Sequence, residues 1–479
     1  MKPLLFAALI LAYASPALAQ TPDAAPPPAV KLAPPPAVES ANLQAPDLFS
    51  PSAANTGLPD TLWRGASAGI ARSVIPAVSQ RPLSPAGQAL ARRLLSTGAP
   101  APDGAGADAD LAAARISAIL SLGDAAGARA MLDHTPGIAA SPALSQAAAE
   151  ADLVLGQEDR ACQEGDALTQ GKDAPYFRRL RAYCLAKAGN NDAAQLAYDL
   201  AESQAKDATY KRLMSAAVSG TPAGEASLRN GLDFALSRRL MLDLAPAVAS
   251  GWRPVLTVLA TNPSYPDDIH AAAAERLKVG PEPSLMAAPV LVPLAAGDVR
   301  SAAASRAQIQ RNDAAGATAL ELALLDAVLT TAQGRIDQSV MDQLIERGVA
   351  GEARDRPRAQ AAAAIYAALG APMSGQARGE FASFDLGRST ASQARLLELQ
   401  LAASGGAPGD AALLSLWLAL DSGAAGPSPG LRAEIVRGLS RAGFDEDARA
   451  YAMEGLIGLM TPSGAPPAPR AAAPRKRLR

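Results

Sequence analysis

The chain has 479 residues with 44 basic and 46 acidic side chains, and this net charge of −2 argues against nucleic-acid binding, which usually needs a basic protein. Alanine accounts for 114 residues and aromatic side chains for only 4%, so large apolar side chains are fewer than the 49% hydrophobic content implies. Two cysteines and two histidines leave few ligands for a metal site, and we expect neither a metal nor a cofactor.

The first 19 residues are typical of a secretory signal peptide. Lys2 gives a basic start, an apolar stretch covers residues 4–14, and Ala17-Leu18-Ala19 forms a small-residue cleavage site. The apolar stretch is shorter than the roughly 20 residues that span a bilayer, and an uncleaved interfacial anchor is the alternative. The sequence therefore predicts a periplasmic protein that is cleaved after Ala19 and has no membrane span. The preference for arginine over lysine is typical of a GC-rich bacterial genome.

Two segments outside the helical region are predicted to be disordered. Residues 20–57 form a proline-rich linker, in which the motif at 26–30 is repeated at 34–38. Residues 461–479 form a basic tail that ends in Arg475-Lys476-Arg477-Leu478-Arg479. Such a tail is able to contact anionic lipid or envelope polymers, and a solvated end without a ligand is the alternative.

Residues 58–460 have the pattern of an all-α protein. Ser84-Pro85 and Ser141-Pro142 place a capping hydroxyl before a proline at the first helical position. The most strand-like segment, 255–259, follows a proline and continues into alanine, as the first turn of a helix does. Because the breaks are short and the region exceeds one compact core, the sequence predicts an α-solenoid of stacked antiparallel helical hairpins.

The clearest repeat unit lies at residues 174–204. Its small and aromatic residues follow the spacing of two packed helices: Ala182, Gly189, Ala194, Tyr198 and Ala201. The unit resembles a tetratricopeptide repeat, and segments 122–132 and 442–452 resemble the family less closely. The repeat period of the family is not kept along the chain. The resemblance implies helical hairpins with a surface that binds proteins or peptides, and it implies no catalysis.

Cys162 and Cys184 lie on either side of a predicted turn at residues 170–173. In an antiparallel hairpin the two positions come roughly level, and an oxidising compartment favours a disulfide. A redox-active pair is the alternative, although the chain has no Cys-x-x-Cys motif. The sequence predicts a Cys162–Cys184 disulfide that clamps the hairpin.

Three patterns that bind ligands in other proteins are incomplete here. Residues 165–172 contain one residue too many for a phosphate-binding loop, and Asp173 stands where Ser or Thr belongs. Asp267-Asp268 is interpreted as the start of a helix with His270 on its surface, and His134 lies alone at a helix end. A serine hydrolase would need one of these two histidines as its base, so this chemistry is not expected.

Together these features favour a non-catalytic periplasmic scaffold or adaptor that binds a protein partner in the cell envelope. The alternatives are a cell-wall-processing enzyme with a helical superstructure and a helix glutamate as general acid, or a component of a trans-envelope motility or secretion complex. Trp63, Trp252 and Trp417 are interpreted as packing anchors. A deep pocket with a buried, hydrogen-bonded carboxylate beside one of these tryptophans would favour the enzyme, and a shallow apolar groove would favour the scaffold.

Overall fold

The computed structural model describes residues 46–278, 286–312, 319–387 and 391–460, and these ranges contain helices and no β-strand. The prediction of an all-α fold is therefore confirmed. The predicted signal peptide, the linker up to residue 45 and the basic tail lie outside the described residues. None of the described helices is both long and apolar enough to cross a membrane.

The α-helices are, in chain order, α1 (Ala68–Gln80), α2 (Pro85–Ser96), α3 (Ala109–Ser121), α4 (Ala125–Asp133), α5 (Pro142–Val154), α6 (Glu158–Ala167), α7 (Pro175–Lys187), α8 (Asn191–Gln204), α9 (Ala208–Ser219), α10 (Gly231–Arg239), α11 (Arg253–Thr261), α12 (Asp267–Leu277), α13 (Ala288–Ala295), α14 (Val299–Asn312), α15 (Ala319–Ala332), α16 (Gln338–Ala350), α17 (Arg356–Ala368), α18 (Gly375–Ala382), α19 (Gln393–Gly405), α20 (Pro408–Ser422), α21 (Pro429–Arg441) and α22 (Asp445–Gly458). Short 3-10 helices cover Ile138–Ala140 and Ala245–Ser250.

The helix starts follow the capping chemistry of the sequence. Ser84 accepts a hydrogen bond from the Gly87 N–H at 3.4 Å, and Ser141 accepts one from the Leu144 N–H at 3.3 Å, each before a proline. The ambiguous segment 255–259 is helical and belongs to α11. The local signals therefore place these helices correctly without tertiary information.

Consecutive helices pack in pairs, as predicted for stacked hairpins. Pairs with extensive contact include α5 with α6, α7 with α8, α11 with α12, α16 with α17 and α21 with α22. Fully buried alanines such as Ala118, Ala148 and Ala362 stand at the contacts and let the helices approach closely. The core has two parts, one built mainly by α1–α5 with α11–α22 and a smaller one built mainly by α6–α10, and both α5 and α10 contribute side chains to each part.

The repeat unit predicted at residues 174–204 is the helix pair α7–α8. Ala182, Ala194, Tyr198 and Ala201 are buried between or behind the two helices. Gly189 has a φ of 79°, the left-handed conformation that ends a helix most easily without a side chain. The hairpin of this unit is therefore as expected from its small and aromatic residues.

The first helices pack against the last ones. Helix α1 contacts α20, and α2 contacts both α20 and α22. An open stack of repeats contacts only its neighbours in sequence, so this packing adds a feature that local pattern did not predict. It joins the two ends of the described helical region in one core.

The predicted linker boundary at residue 57 is wrong. Residues 46–57 pack on the helical region, where Phe49 is fully buried and the Leu48 N–H donates to the Gly106 carbonyl at 2.7 Å. Asp47 accepts the Ala101 N–H at 2.9 Å. The proline content of residues 46–57 led to their assignment to the linker. Unlike the proline motifs at 26–30 and 34–38, however, this segment contains Phe49, which anchors it in the core. The packed region begins by residue 47.

Candidate functional site

A cleft of about 560 Å³ opens on one face of the N-terminal half of the helical region. Its walls come from α3, α5, α7 and α9, which are the first helices of successive pairs, and from the start of α10. The residues that decide its chemistry are Glu150, Tyr176, Asp207, Tyr210, Arg229, Asp233 and Trp252. Successive repeat units therefore contribute to a common surface.

The cleft exists because small side chains on two of its helices leave room, and larger polar side chains line the opposite wall. Helix α3 contributes Ala114 and Ser117, and α5 contributes Gln146 and Ala147. From α7 the cleft receives Tyr176 and Arg179, and these residues, three apart, share a helix face. Asp207 and Tyr210, also three apart, come from the start of α9. Small side chains on α3 and α5 thus face larger polar side chains on α7 and α9 across the cavity.

Glu150 is the central buried carboxylate of the cleft. Its side chain is buried, and Oε2 accepts a hydrogen bond from the Gly231 N–H at 2.7 Å. Gly231 is the first residue of α10, where the helix end attracts a negative charge. A Cβ at position 231 would lie 2.9 Å from the Glu150 carbonyl oxygen, so glycine is what allows this close approach. Glu150 therefore anchors α10 on α5.

The electrostatic environment of Glu150 favours its protonated form. Burial raises the pKa of the Glu150 carboxyl, Asp233 adds to the rise, and the hydrogen bond from Gly231 opposes it. Tyr176 lies beside the carboxylate, and burial together with Glu150 raises the pKa of the tyrosine hydroxyl. Within the described residues, neither Oε1 of Glu150 nor the Tyr176 hydroxyl completes a hydrogen bond of normal geometry.

Arg229 forms ion pairs with two acids of the cleft, one of which, Asp233, is buried. Arg229 donates to Asp233 at 2.7 Å and to Asp207 at 3.0 Å, and the Ser227 hydroxyl also donates to Asp233 at 2.8 Å. Burial opposes ionisation of Asp207, yet hydrogen bonds from the Tyr210 N–H and Arg229 hold the pKa of this carboxyl below its ordinary value. Arg229 thus neutralises Asp207 and Asp233, whereas Glu150 has no basic side chain as an ion-pair partner within the described ranges.

The three tryptophans have different surroundings. Trp63 is fully buried and packs edge-on against Phe49 at 5.6 Å, so its interpretation as a packing anchor is confirmed. Trp417 lies under the guanidinium of Arg395 at 4.0 Å. Trp252 is half-buried and lines the cleft. The structure thus brings one of the three tryptophans into the same cavity as a buried carboxylate.

The two cysteines are joined in the predicted disulfide. Cys162 on α6 and Cys184 on α7 are bonded, with their Cα atoms 5.8 Å apart. The disulfide ties α7, which carries Tyr176 and Arg179, to the preceding helix pair. It therefore supports one wall of the cleft.

The two histidines lie where the sequence placed them. His134 follows the last residue of α4, and its Nδ1 lies 2.9 Å from the Ala130 carbonyl. His270 is in the first turn of α12 behind Asp267 and Asp268, with Nε2 2.6 Å from the Asn262 carbonyl. Across the described ranges, no group of three or more histidine, cysteine or acidic side chains is arranged to hold a metal ion.

Sequence reasoning did not single out Glu150, Tyr176 or the Arg229–Asp233 pair. The available signal was an acid in the otherwise apolar stretch Ala147–Ala151 of α5, because a charged residue at a core position needs a partner. The partner, the backbone of Gly231, is 81 residues away and lies on a helix whose position is set by tertiary packing.

Comparison with protein-family models, curated proteins and solved structures finds no match to this chain.

Proposed function

We propose that the protein is a non-catalytic periplasmic scaffold or adaptor that binds a segment of an envelope protein in the cleft of α3, α5, α7 and α9. The observation that carries the proposal is that the first helices of four successive pairs line one cavity. Such a shared surface fits an extended or helical peptide better than one small molecule. The disulfide supports the assignment to an oxidising compartment, since such bonds persist outside the cytosol.

The second candidate is a cell-wall-processing enzyme, which one observation favours. Glu150 is a buried, hydrogen-bonded carboxylate with a raised pKa, and Trp252 lines the same cleft. A general acid must contact its substrate, however. Oε1 of Glu150 is closed to solvent and Oε2 is occupied by the Gly231 N–H, so the carboxylate serves better as an anchor for α10 than as an acid.

The binding proposal is tested by filling the cleft. Ser117 and Gln146 line the cleft, and their side chains hold no other described residue by a hydrogen bond. Ser117→Arg with Gln146→Arg therefore adds bulk and charge to α3 and α5. The matched control is Gln376→Arg with Ser404→Arg, two exposed positions outside the cleft. Affinity purification of the mature protein from envelope extracts should give a reproducible partner with the wild type and the control, and lose it with the cleft variant. Equal capture by all three proteins contradicts the proposal.

The enzyme candidate is tested separately with Glu150→Gln, which keeps an oxygen acceptor for Gly231 and removes the titrating carboxyl. We expect purified cell-wall polymer to release no soluble fragments with either the wild type or the variant. Release by the wild type that is abolished in a folded Glu150→Gln protein would establish the enzyme instead.

A further inference from the structure

A second groove, of about 680 Å³, lies on the α7–α8 pair. From α7 it is lined by Arg178, Arg181 and Leu185, at spacings of three and four that define one helix face. Tyr176 and Arg179, which line the cleft described above, lie on a different face of the same helix. We call this second groove the hairpin groove, and it is independent of the proposed binding cleft.

The hairpin groove is bordered by two exposed leucines. Leu196 is 64% exposed and Leu200 is 48% exposed, and they stand one turn apart on α8. Ala193 and Ala197 form the floor between these leucines and α7. Two neighbouring apolar side chains at the border of a groove form a contiguous patch, which gains stability when a partner covers it.

Charge is distributed asymmetrically about the leucines. On the α7 side stand Arg178 and Arg181, and neither side chain forms an ion pair or hydrogen bond with another described residue. On the other side of the leucines α8 exposes Asp192 and Asp199. Asp192 lies four residues before Leu196, and Asp199 lies three residues after it, which places both acids beside the apolar stripe and away from the groove floor.

Lys172 adds a further positive charge at the end of the groove, where Asp173 partly offsets it. The surface thus runs from a basic edge through an alanine floor and a leucine stripe to an acidic edge. A surface of this kind is complementary to itself after a two-fold rotation, which is the requirement for a symmetric homodimer.

We propose that the hairpin groove is the interface of a homodimer, in which α8 of a second copy of this chain occupies the groove. Leu196 and Leu200 of each copy pack on the alanine floor of the other. Arg178 and Arg181 of each copy face Asp192 and Asp199 of the other. The disulfide at Cys184, next to Leu185, holds α7 on α6 and so keeps the basic edge in place before association.

Sedimentation velocity of the mature protein over a range of concentrations tests the interface. We expect a monomer–dimer equilibrium for the wild type and a dissociation constant raised by more than about thirtyfold in Leu196→Glu with Leu200→Glu. The matched control is Leu397→Glu with Leu401→Glu, which changes two leucines on α19 that are 58% and 55% exposed. The control should dimerise like the wild type.

Reversing the charges of the two edges distinguishes a lost interface from a misfolded protein, because a misfolded variant would not regain association. Arg178→Glu with Arg181→Glu makes both edges acidic, and Asp192→Arg with Asp199→Arg makes both edges basic. Each variant alone should be monomeric, their equimolar mixture should form a heterodimer, and the protein with all four substitutions should dimerise again. These dimers should weaken at high salt.

A wild type that stays monomeric at the highest soluble concentration overturns the proposal, whether the groove is then covered by an acidic helix of another protein or by nothing. A dimer that survives Leu196→Glu with Leu200→Glu, or a mixture of the two charge variants that does not associate, overturns it as well.

Discussion

Arg115 connects residues 46–57 to the helices through a single buried side chain. Its guanidinium is fully buried and donates to the carbonyls of Leu95 at 2.8 Å, Thr97 at 2.6 Å and Phe49. Burial lowers the pKa of Arg115 to about 9, and Asp47 opposes that change. The three carbonyls come from two separate segments, so the arginine fastens residues 46–57 to α2 and α3. The sequence contains an arginine within the otherwise apolar part of α3, but it does not predict which carbonyls accept hydrogen bonds from that arginine.

Asp152 is a second buried charge on α5 with a measurable consequence. Its side chain is fully buried, and Arg129 donates to it at 3.3 Å. Burial outweighs the attraction of Arg129 and Arg160 and raises the pKa of Asp152 to about 6. Because the folded state then holds this proton more tightly than the unfolded state, the stabilisation is complete at low pH and is lost as the pH rises.

We therefore expect the free energy of unfolding to fall, through Asp152, between a pH of about 4 and a pH of about 6. In Asp152→Asn, which cannot ionise, this part of the pH dependence should be reduced. Urea denaturation at pH steps across that window measures it. Asp268→Asn removes one negative charge from an exposed position and is the control. Identical pH profiles for wild type and Asp152→Asn would contradict the assigned pKa.

At the scale of helices, the sequence was most informative where a signal is local. Serine–proline caps, the α7–α8 pair and the disulfide were predicted from residues close together in the chain. The sequence did not reveal that α10 is positioned by Glu150 of α5, because this contact joins residues far apart and leaves no periodic pattern. The helices that form the candidate site were therefore predictable, and its polar chemistry was not.

The disulfide between α6 and α7 gives a prediction of stability. Cys162 and Cys184 are 22 positions apart, and a closed loop of this length restricts the unfolded chain by about 3 kcal/mol in the loop-entropy model. Cys162→Ser with Cys184→Ser should lower the free energy of unfolding by that amount. Guanidinium denaturation measures it, and wild type with its disulfide reduced serves as the control that should match the variant. An unchanged midpoint would contradict the prediction.

For the whole molecule, the packing of the first helices on the last ones is the feature that repeats alone do not explain. Asp410 of α20 accepts the Ser67 N–H at 2.9 Å, just before α1. Glu454 of α22 accepts the Ala86 N–H at 2.6 Å, in the first turn of α2. Each acid therefore stabilises the positive start of a helix more than 340 residues earlier. No sequence window contains both partners, so no periodicity predicts the contact.

Glu454→Ala tests this connection. Glu454 also pairs with Arg432 at 2.8 Å, and the Arg432 side chain is only 5% exposed, so the substitution leaves a buried charge without its partner. We expect a loss of about 3 kcal/mol in the free energy of unfolding.

Hydrogen exchange should report faster exchange in α2 as well as α22, although the substitution lies in α22 alone. Asp445→Ala is the control, since that side chain is exposed on the same helix and accepts a hydrogen bond from Ser440 of α21 rather than from α2. Faster exchange confined to α22 would show that α2 does not depend on this carboxylate.

The contacts of α1 and α2 with α20 and α22 also bear on the order in which the chain folds. Both helices also pack on α3, but their contacts with α20 and α22 form only after these late helices have been synthesised, so the core of a growing polypeptide is completed late. Until then, the faces of α1 and α2 that α20 and α22 cover in the finished protein have no native partner. The arrangement that stabilises the finished protein therefore also postpones the completion of its core until α20 and α22 have emerged.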